Sequence, residues 1–208
     1  MKDASAESPR AHALFAAAAA AKAPDEALRR RLDAFEALIR RWRTKTDLVA
    51  GEGRALQEVL FLDAYVLART TLVPERSRLL DVGAGAGAPG IPLAVLRPDL
   101  EITLLEPRRR RVAFLRTAVG SLGLAPRVRV VEGRLGDGPE PELSPFDVAM
   151  SRATFAPKEW LRRGPWLAPR VLVLAARDLP PGADGVWRYE VPSTGAPRVV
   201  GSYLSATE

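Results

Sequence analysis

Leu79-Leu80-Asp81-Val82-Gly83-Ala84-Gly85-Ala86-Gly87-Ala88-Pro89-Gly90-Ile91-Pro92 is a short apolar run that ends in an acid, opens into a glycine-rich loop and closes on proline before a second apolar run. This pattern predicts a buried parallel strand, a tight turn and a helix that starts near Pro89, because proline suits a first helical turn. Glycine permits φ > 0 and lets the backbone approach a ligand in front of a helix N-terminus. The expectation is a nucleotide-type pocket at the carboxyl end of a first strand.

The spacing Gly85-x-Gly87-x-x-Gly90 satisfies the dinucleotide fingerprint, but three glycines do not choose the ligand. Asp81 says more. A carboxylate at the strand tip repels a pyrophosphate and suits S-adenosylmethionine (SAM), which has no phosphate and carries an ammonium and a sulfonium. A second acid, Glu106, ends the next apolar run, Ile102-Thr103-Leu104-Leu105, where folds of this kind place a ribose-diol acceptor. Two other readings stay open: a structural turn in an α/β domain, and an NAD(P) reductase. Asp81 and the lack of a Tyr-x-x-x-Lys pair weigh against the reductase.

With 208 residues, 47% of them hydrophobic, the chain suits one α/β domain with an accessory element. No apolar run is long enough to cross a membrane. The absence of Cys rules out disulfides, cysteine-held zinc, iron–sulfur clusters and thiolate nucleophiles, and fits a reducing cytoplasm, where the chain is expected to reside. The lone His12 is near the N-terminus, so neither histidine catalysis nor a metal site is expected. The net charge of +6 favours a polyanionic partner. Lys appears only at Lys2, Lys22, Lys45 and Lys158, and Arg is the residue that grips phosphate bidentately. An Ala/Arg/Pro-rich composition from biased codon usage would give the same charge.

In chain order, residues 1–10 are expected to form a disordered tail, residues 11–75 a helical extension, and residues 76–208 the cofactor-binding domain. Ala11 to Ala23 is a helix candidate, and Asp3 and Glu7 argue against a secretory leader. A helix from Pro24-Asp25-Glu26 carries Leu28, Leu32, Phe35, Ile39 and Trp42 at helical spacing. A second spans about Arg54 to Leu72, where Asp63 among apolar positions needs a partner. Beyond the opening stretch, strand and helix alternate as in right-handed parallel crossovers. The strands are Glu101 to Glu106, Arg127 to Glu132, Phe146 to Met150 running into Ser151-Arg152, and Arg170 to Ala175. Helices are expected over Ile91 to Leu96, Arg109 to Leu122 and Pro157 to Gly164, and a closing hairpin over Val186 to Val191 and Arg198 to Leu204.

Two basic clusters stand out. Arg40, Arg41, Arg43 and Lys45 surround Trp42, either as a solvated rim on a core tryptophan or as a phosphate-gripping edge beside a base site. Arg108, Arg109, Arg110 and Arg111 open a helix where the macrodipole disfavours cations, either as a solvated face or as a phosphate-facing patch beside the glycine loop.

With these residues in hand, the chain resembles the RsmG (GidB) family of SAM-dependent methyltransferases, which act on N7 of a guanine in bacterial small-subunit (16S) ribosomal RNA. The resemblance is strongest in Asp81 to Leu93, with its Pro-Gly-Ile-Pro-Leu ending. It continues through Leu104-Leu105-Glu106, Arg111-Val112-Ala113-Phe114-Leu115, Phe146-Asp147-Val148 and Ser151-Arg152-Ala153. It implies a Rossmann-like class I methyltransferase fold, with a mostly parallel seven-stranded sheet, a C-terminal antiparallel hairpin and an N-terminal helical extension. By position it implies cofactor contacts at Gly83 and Ala88, a pair flanking the adenine at Leu135 and Gly136, and an arginine serving both cofactor and catalysis at Arg152. The chain departs from the family pattern at Arg43, Asp47 and Val49, at Val59-Leu60, at Gly136 and at Ala175-Ala176, mostly on the implied substrate side.

Guanine N7 presents a lone pair, so the implied reaction needs orientation rather than a general base. Asp81 with Gly83, Gly85 and Gly87 is expected to hold the methionine portion of SAM and Glu106 the ribose, while Arg152 aligns base or cofactor. The two arginine-rich clusters would hold RNA phosphate, with the protein acting on ribosomal RNA or the small subunit as a monomer. A methyltransferase for another RNA or a small molecule, or a SAM-binding module without catalysis, would share the same cofactor half.

Overall fold

The structure, a computed structural model, describes residues 26–138 and 145–205. The expected tail at 1–10, the Ala11 to Ala23 helix and His12 lie outside the described residues. Helices α1 (Glu26–Trp42) and α2 (Gly53–Arg69) precede β1 (Arg78–Val82), α3 (Gly90–Leu96), β2 (Glu101–Glu106), α4 (Arg109–Ser121) and β3 (Val128–Glu132). Then follow β4 (Val148–Arg152), α5 (Pro157–Arg163), a 3-10 turn at Gly164–Trp166, β5 (Arg170–Ala175), β6 (Gly185–Glu190) and β7 (Pro197–Leu204).

The strands form one seven-stranded sheet in the order β3-β2-β1-β4-β5-β7-β6. The first five are parallel, and β7 pairs antiparallel with both β5 and β6. The chain moves outward from β1 to β3 and then returns to add β4 on the other side of β1. The loops after β1 and β4 therefore meet at the switch point, where ligands bind in open α/β sheets.

Strand alternation sorts the core onto two faces. Leu79 faces a layer with Phe35, Ile39, Leu60, Leu67, Ile91 and Phe114 from α1 to α4. Leu80 and Val82 face the opposite layer, where Trp160 packs with Val171 and Val173. The Trp160 indole N–H donates to the Leu172 carbonyl at 2.9 Å, so its one polar atom is satisfied in the core. Trp42 is a packing residue: its ring meets Phe114 edge-on at 5.7 Å, tying α1 to α4.

Two boundaries move from their expected places for visible reasons. β4 begins at Val148 rather than Phe146, because the Phe146 N–H donates to Leu167 and the Asp147 carboxylate accepts from the Arg78 N–H at 2.7 Å. Helix α2 stops at Arg69, where Thr70 turns extended at φ −108°. No described helix is long and apolar enough to cross a membrane.

Candidate active site

The loop after β1 is held against the tip of β2. Gly83 and Ala84 donate their N–H groups to the Leu105 carbonyl at 2.8 and 3.1 Å. The Gly85 N–H donates to Glu106 Oε2 at 2.9 Å, and the Arg108 N–H to Oε1 at 3.0 Å. Glu106 is thus a buried clasp between the glycine loop and the start of α4. Each of its oxygens keeps a lone pair for a further donor.

The glycines have different tasks. Gly83, at φ +75°, passes so close to Thr154 that a Cβ would fall 2.1 Å from its Oγ1. Gly87, at φ +80°, would drive a Cβ to within 2.6 Å of Ile91 Cδ1, so it serves helix–loop packing. Gly85 needs its φ of +57°, but its nearest neighbour, Arg111 Nη1, is 3.7 Å away. Ala88 is buried ahead of Pro89.

Asp81 lies beneath this loop rather than at an open strand tip. Alternation points it to the α3 side, where it is 1% exposed, and its Oδ2 has no hydrogen-bond partner among the described residues. Burial, more than any neighbour, pushes its carboxyl up to about 7; the Arg152 guanidinium and the Gly90 amide oppose the shift and Glu106 adds to it. A buried carboxylate with an orphaned oxygen is a fitting counter-charge for a cationic ligand.

A cleft of about 420 Å³ opens on the other side of the loop, between the ends of β1 and β2, the segment after β3 and the turn after β4. Gly83 and Leu135 line it, together with Thr154, Phe155 and Arg163. Asp81, Gly85, Gly87, Ala88 and Glu106 support it from behind rather than lining it. Arg163 latches one wall: it donates to the Gly136 carbonyl at 2.7 Å, pairs with Asp137 at 2.5 Å and Glu159 at 2.9 Å, and lies 5.1 Å over the Phe155 ring. Phe155 in turn stacks on Trp160. Thr154, Phe155 and Arg163 carry no motif that marks them in the sequence. Only the Glu159–Arg163 helical spacing hinted at the latch. A glycine cradle, apolar flanks at Leu135 and Phe155 and the buried acid below fit SAM.

Arg152 does not line this cleft. Ser151 is in register with Val82 and shares its face, so alternation turns Arg152 to the face of α2. There its Nη1 donates to the Val59 carbonyl at 2.9 Å and to Asp63 Oδ2 at 3.0 Å. Tyr189 donates its hydroxyl to Asp63 Oδ1 at 2.6 Å, and burial and the carboxylate push the phenol well above its ordinary range. The acid in α2 has the partners its burial demands. This trio lines a second cavity of about 480 Å³ at the ends of β4 and β5.

The basic clusters adjoin, because Trp42 packs on Phe114 and Arg111 reaches the α1–α2 linker. Several members are already committed. Arg40 pairs with Glu36 at 2.6 Å, Arg43 with Glu52 at 2.7 Å, Arg109 with Glu132 at 3.0 Å and Arg111 with Asp47 at 3.7 Å. Arg41, Lys45, Arg108 and Arg110 are exposed and make no side-chain ion pair within the described residues. The described residues hold no cluster of metal-binding side chains.

Known proteins bear on this geometry. A family model described as GidB, rRNA small subunit methyltransferase G, matches residues 29–163. The ribosomal RNA small subunit methyltransferase G of Frankia casuarinae is 45% identical over 119 residues, covering 56% of this chain and 44% of that protein. The chain spans less than half the length of the curated relatives it first matches, at 44%, 41% and 40%. Among solved structures, the human methyltransferase 10 domain containing protein shares the fold at a TM-score of 0.55 and 15% identity, over 85% of this chain and 98% of that one. The S-adenosylmethionine-dependent methyltransferase SibL does so at 0.53 and 21%, over 69% and 55%.

Proposed function

The chain belongs to the GidB family of small-subunit ribosomal RNA methyltransferases, and from that membership we propose that it methylates N7 of a guanine in 16S ribosomal RNA with SAM as donor. The observation that carries this reading is the Gly83 cradle over the buried Asp81, opening on a cleft with apolar flanks. When bound, SAM supplies an electrophilic methyl group on a sulfonium.

The chain supplies position and electrostatics. Asp81 offers a counter-charge beneath the loop, and Glu106 keeps acceptor capacity for ribose hydroxyls while clasping Gly85. Leu135 and Phe155 flank a flat ring, and Arg163 keeps that wall in place. Arg152 acts from the side of the second cavity, where Asp63 and Tyr189 orient it. Guanine N7 needs no proton removed, so orientation in a dry pocket is the main requirement. Arg41, Lys45, Arg108 and Arg110 are placed to meet RNA phosphate, with their pinned neighbours Arg40, Arg43, Arg109 and Arg111 holding the surface in shape. We take the protein to act as a cytoplasmic monomer.

Val59, Ala175 and Ala176 in the second cavity favour a competing reading, a methyltransferase whose acceptor differs from the family's. Incubation with labelled SAM and unmodified small subunits separates the two. Label in 7-methylguanosine supports the proposal, and label in another nucleoside overturns the target. SAM binding with no label in any RNA points to a small-molecule acceptor or a non-catalytic module.

A further inference from the structure

The second cavity is bounded by α2, the ends of β4 and β5 and the turn of the β6–β7 hairpin, and its volume falls within the range of small-molecule sites. Its walls include Val59, Leu174 and Ala175, and its polar groups are Glu58, Asp63, Arg152, Tyr189, Ser193, Thr194 and Arg198. It adjoins the cofactor cleft along a single turn. Arg152 and Ala153 line the cavity, and the next two residues, Thr154 and Phe155, line the cleft.

Glu58 has no part in the site described so far. It is 5% exposed, an unusual setting for a glutamate on a helix, and sits opposite the hairpin turn. Its Oε1 accepts from Arg54 Nε at 3.1 Å and its Oε2 from the Ser193 hydroxyl. Each oxygen keeps a lone pair. Asp63 likewise accepts one bond on each oxygen, but from the partly buried Arg152 and the buried Tyr189, whereas the partners of Glu58 are the exposed Arg54 and Ser193.

We propose that this cavity receives the acceptor base and that Glu58 is the residue that selects guanine; the assignment rests on the methyltransferase reading above. The two carboxylates are balanced by Arg152 and Arg198, so a lining without net charge and with apolar walls suits an uncharged flat ring. The Watson–Crick edge of guanine carries adjacent N1–H and N2–H donors, which a carboxylate accepts together. Adenine presents an acceptor at N1 and is repelled there. A guanine held by that edge leaves N7, on its opposite side, free for methyl transfer.

The test is titration of the full protein, saturated with S-adenosylhomocysteine, with guanosine, inosine and adenosine monophosphates, followed by NMR. The guanosine nucleotide should bind best, the inosine nucleotide, which lacks the N2 amine, less well, and the adenosine nucleotide least. Glu58→Gln should weaken the guanosine nucleotide about tenfold or more and remove the preference over adenosine, leaving S-adenosylhomocysteine affinity unchanged. Val59→Trp, at a position 40% exposed, should block the cavity without touching the carboxylate or the core. Equal binding of guanosine and adenosine nucleotides to the native protein, no nucleotide binding, or unchanged preference in Glu58→Gln would overturn the assignment while leaving the enzyme's reaction standing. Failure to bind S-adenosylhomocysteine would overturn the methyltransferase reading and this one with it.

Discussion

Asp63 and Arg152, 89 positions apart in sequence, meet at 3.0 Å and join α2 to the tip of β4. The second Asp63 oxygen holds Tyr189 of β6, so one carboxylate ties the helical extension to both parts of the sheet. Asp63→Ala strands a guanidinium and a phenol in partly buried surroundings. It should lower unfolding free energy by about 3 kcal/mol, read from urea midpoints. A double-mutant cycle with Arg152→Ala should give a coupling of about 1–3 kcal/mol, and additive losses would mean the pair is incidental.

The glycine loop should rank its own substitutions. Gly85→Ala makes only ordinary contacts at 3.7 Å and carries the left-handed backbone cost of roughly 1–2 kcal/mol. Gly87→Ala adds collisions with Ile91 and Leu115 and should lower the melting temperature further. Gly83→Ala collides with Thr154 and should weaken SAM in calorimetry more than either. A larger loss of SAM affinity in Gly85→Ala than in Gly83→Ala would contradict this order.

Asp81 makes stability depend on pH with an unusual sign. Its folded carboxyl is pushed up to about 7, so between the ordinary aspartate range and that value the folded state holds more protons than the unfolded state. Its contribution is fully present below about pH 4 and is lost as pH rises toward 7. Unfolding of the ligand-free protein should show a declining component over that window, and Asp81→Asn should flatten it. A variant profile that declines as steeply as the native one would assign the effect elsewhere.

Arg163 should matter to the cofactor cleft as a fork and a plane. Arg163→Ala frees Gly136, Asp137 and Phe155 together and should weaken S-adenosylhomocysteine several-fold with little change in melting temperature. Arg163→Lys should restore little, because an ammonium cannot reproduce the stacked, forked geometry. Full restoration by lysine would reduce the latch to a charge.

Exposed and pinned arginines should behave differently toward RNA. Arg41→Glu and Arg110→Glu should weaken binding and flatten its salt dependence at native stability, since each neutralised phosphate releases counterions. Arg43→Glu and Arg111→Glu should also lower the melting temperature, because they break contacts that hold the α1–α2 linker. If all four lose RNA binding equally with no change in melting, the pinned pairs are surface decoration.

The short apolar runs and the glycine loop make the sheet legible, and Asp63 shows its need for a partner by standing among apolar residues. Arg152 was legible as a position but not as a direction. Its face depends on the register of β4 against Val82, which no local pattern carries. The Arg163 latch joins a loop after β3 to a helix after β4, and the commitment of Arg43 and Arg111 depends on acids in a linker. Composition could count those charges but could not pair them.

The turn from Arg152 to Phe155 separates the two cavities by one short stretch of chain, with Ala153 at φ +56° as its corner. The partition is one turn of backbone, with Arg152 and Ala153 lining one chamber and Thr154 and Phe155 the other, so the spacing at this point is set by consecutive residues. The offset between their occupants is therefore a fixed length of the scaffold, like the gap in a caliper locked with a screw. An insertion of one residue between Ser151 and Phe155 would change that gap directly, whereas substitutions elsewhere could alter only what each chamber holds.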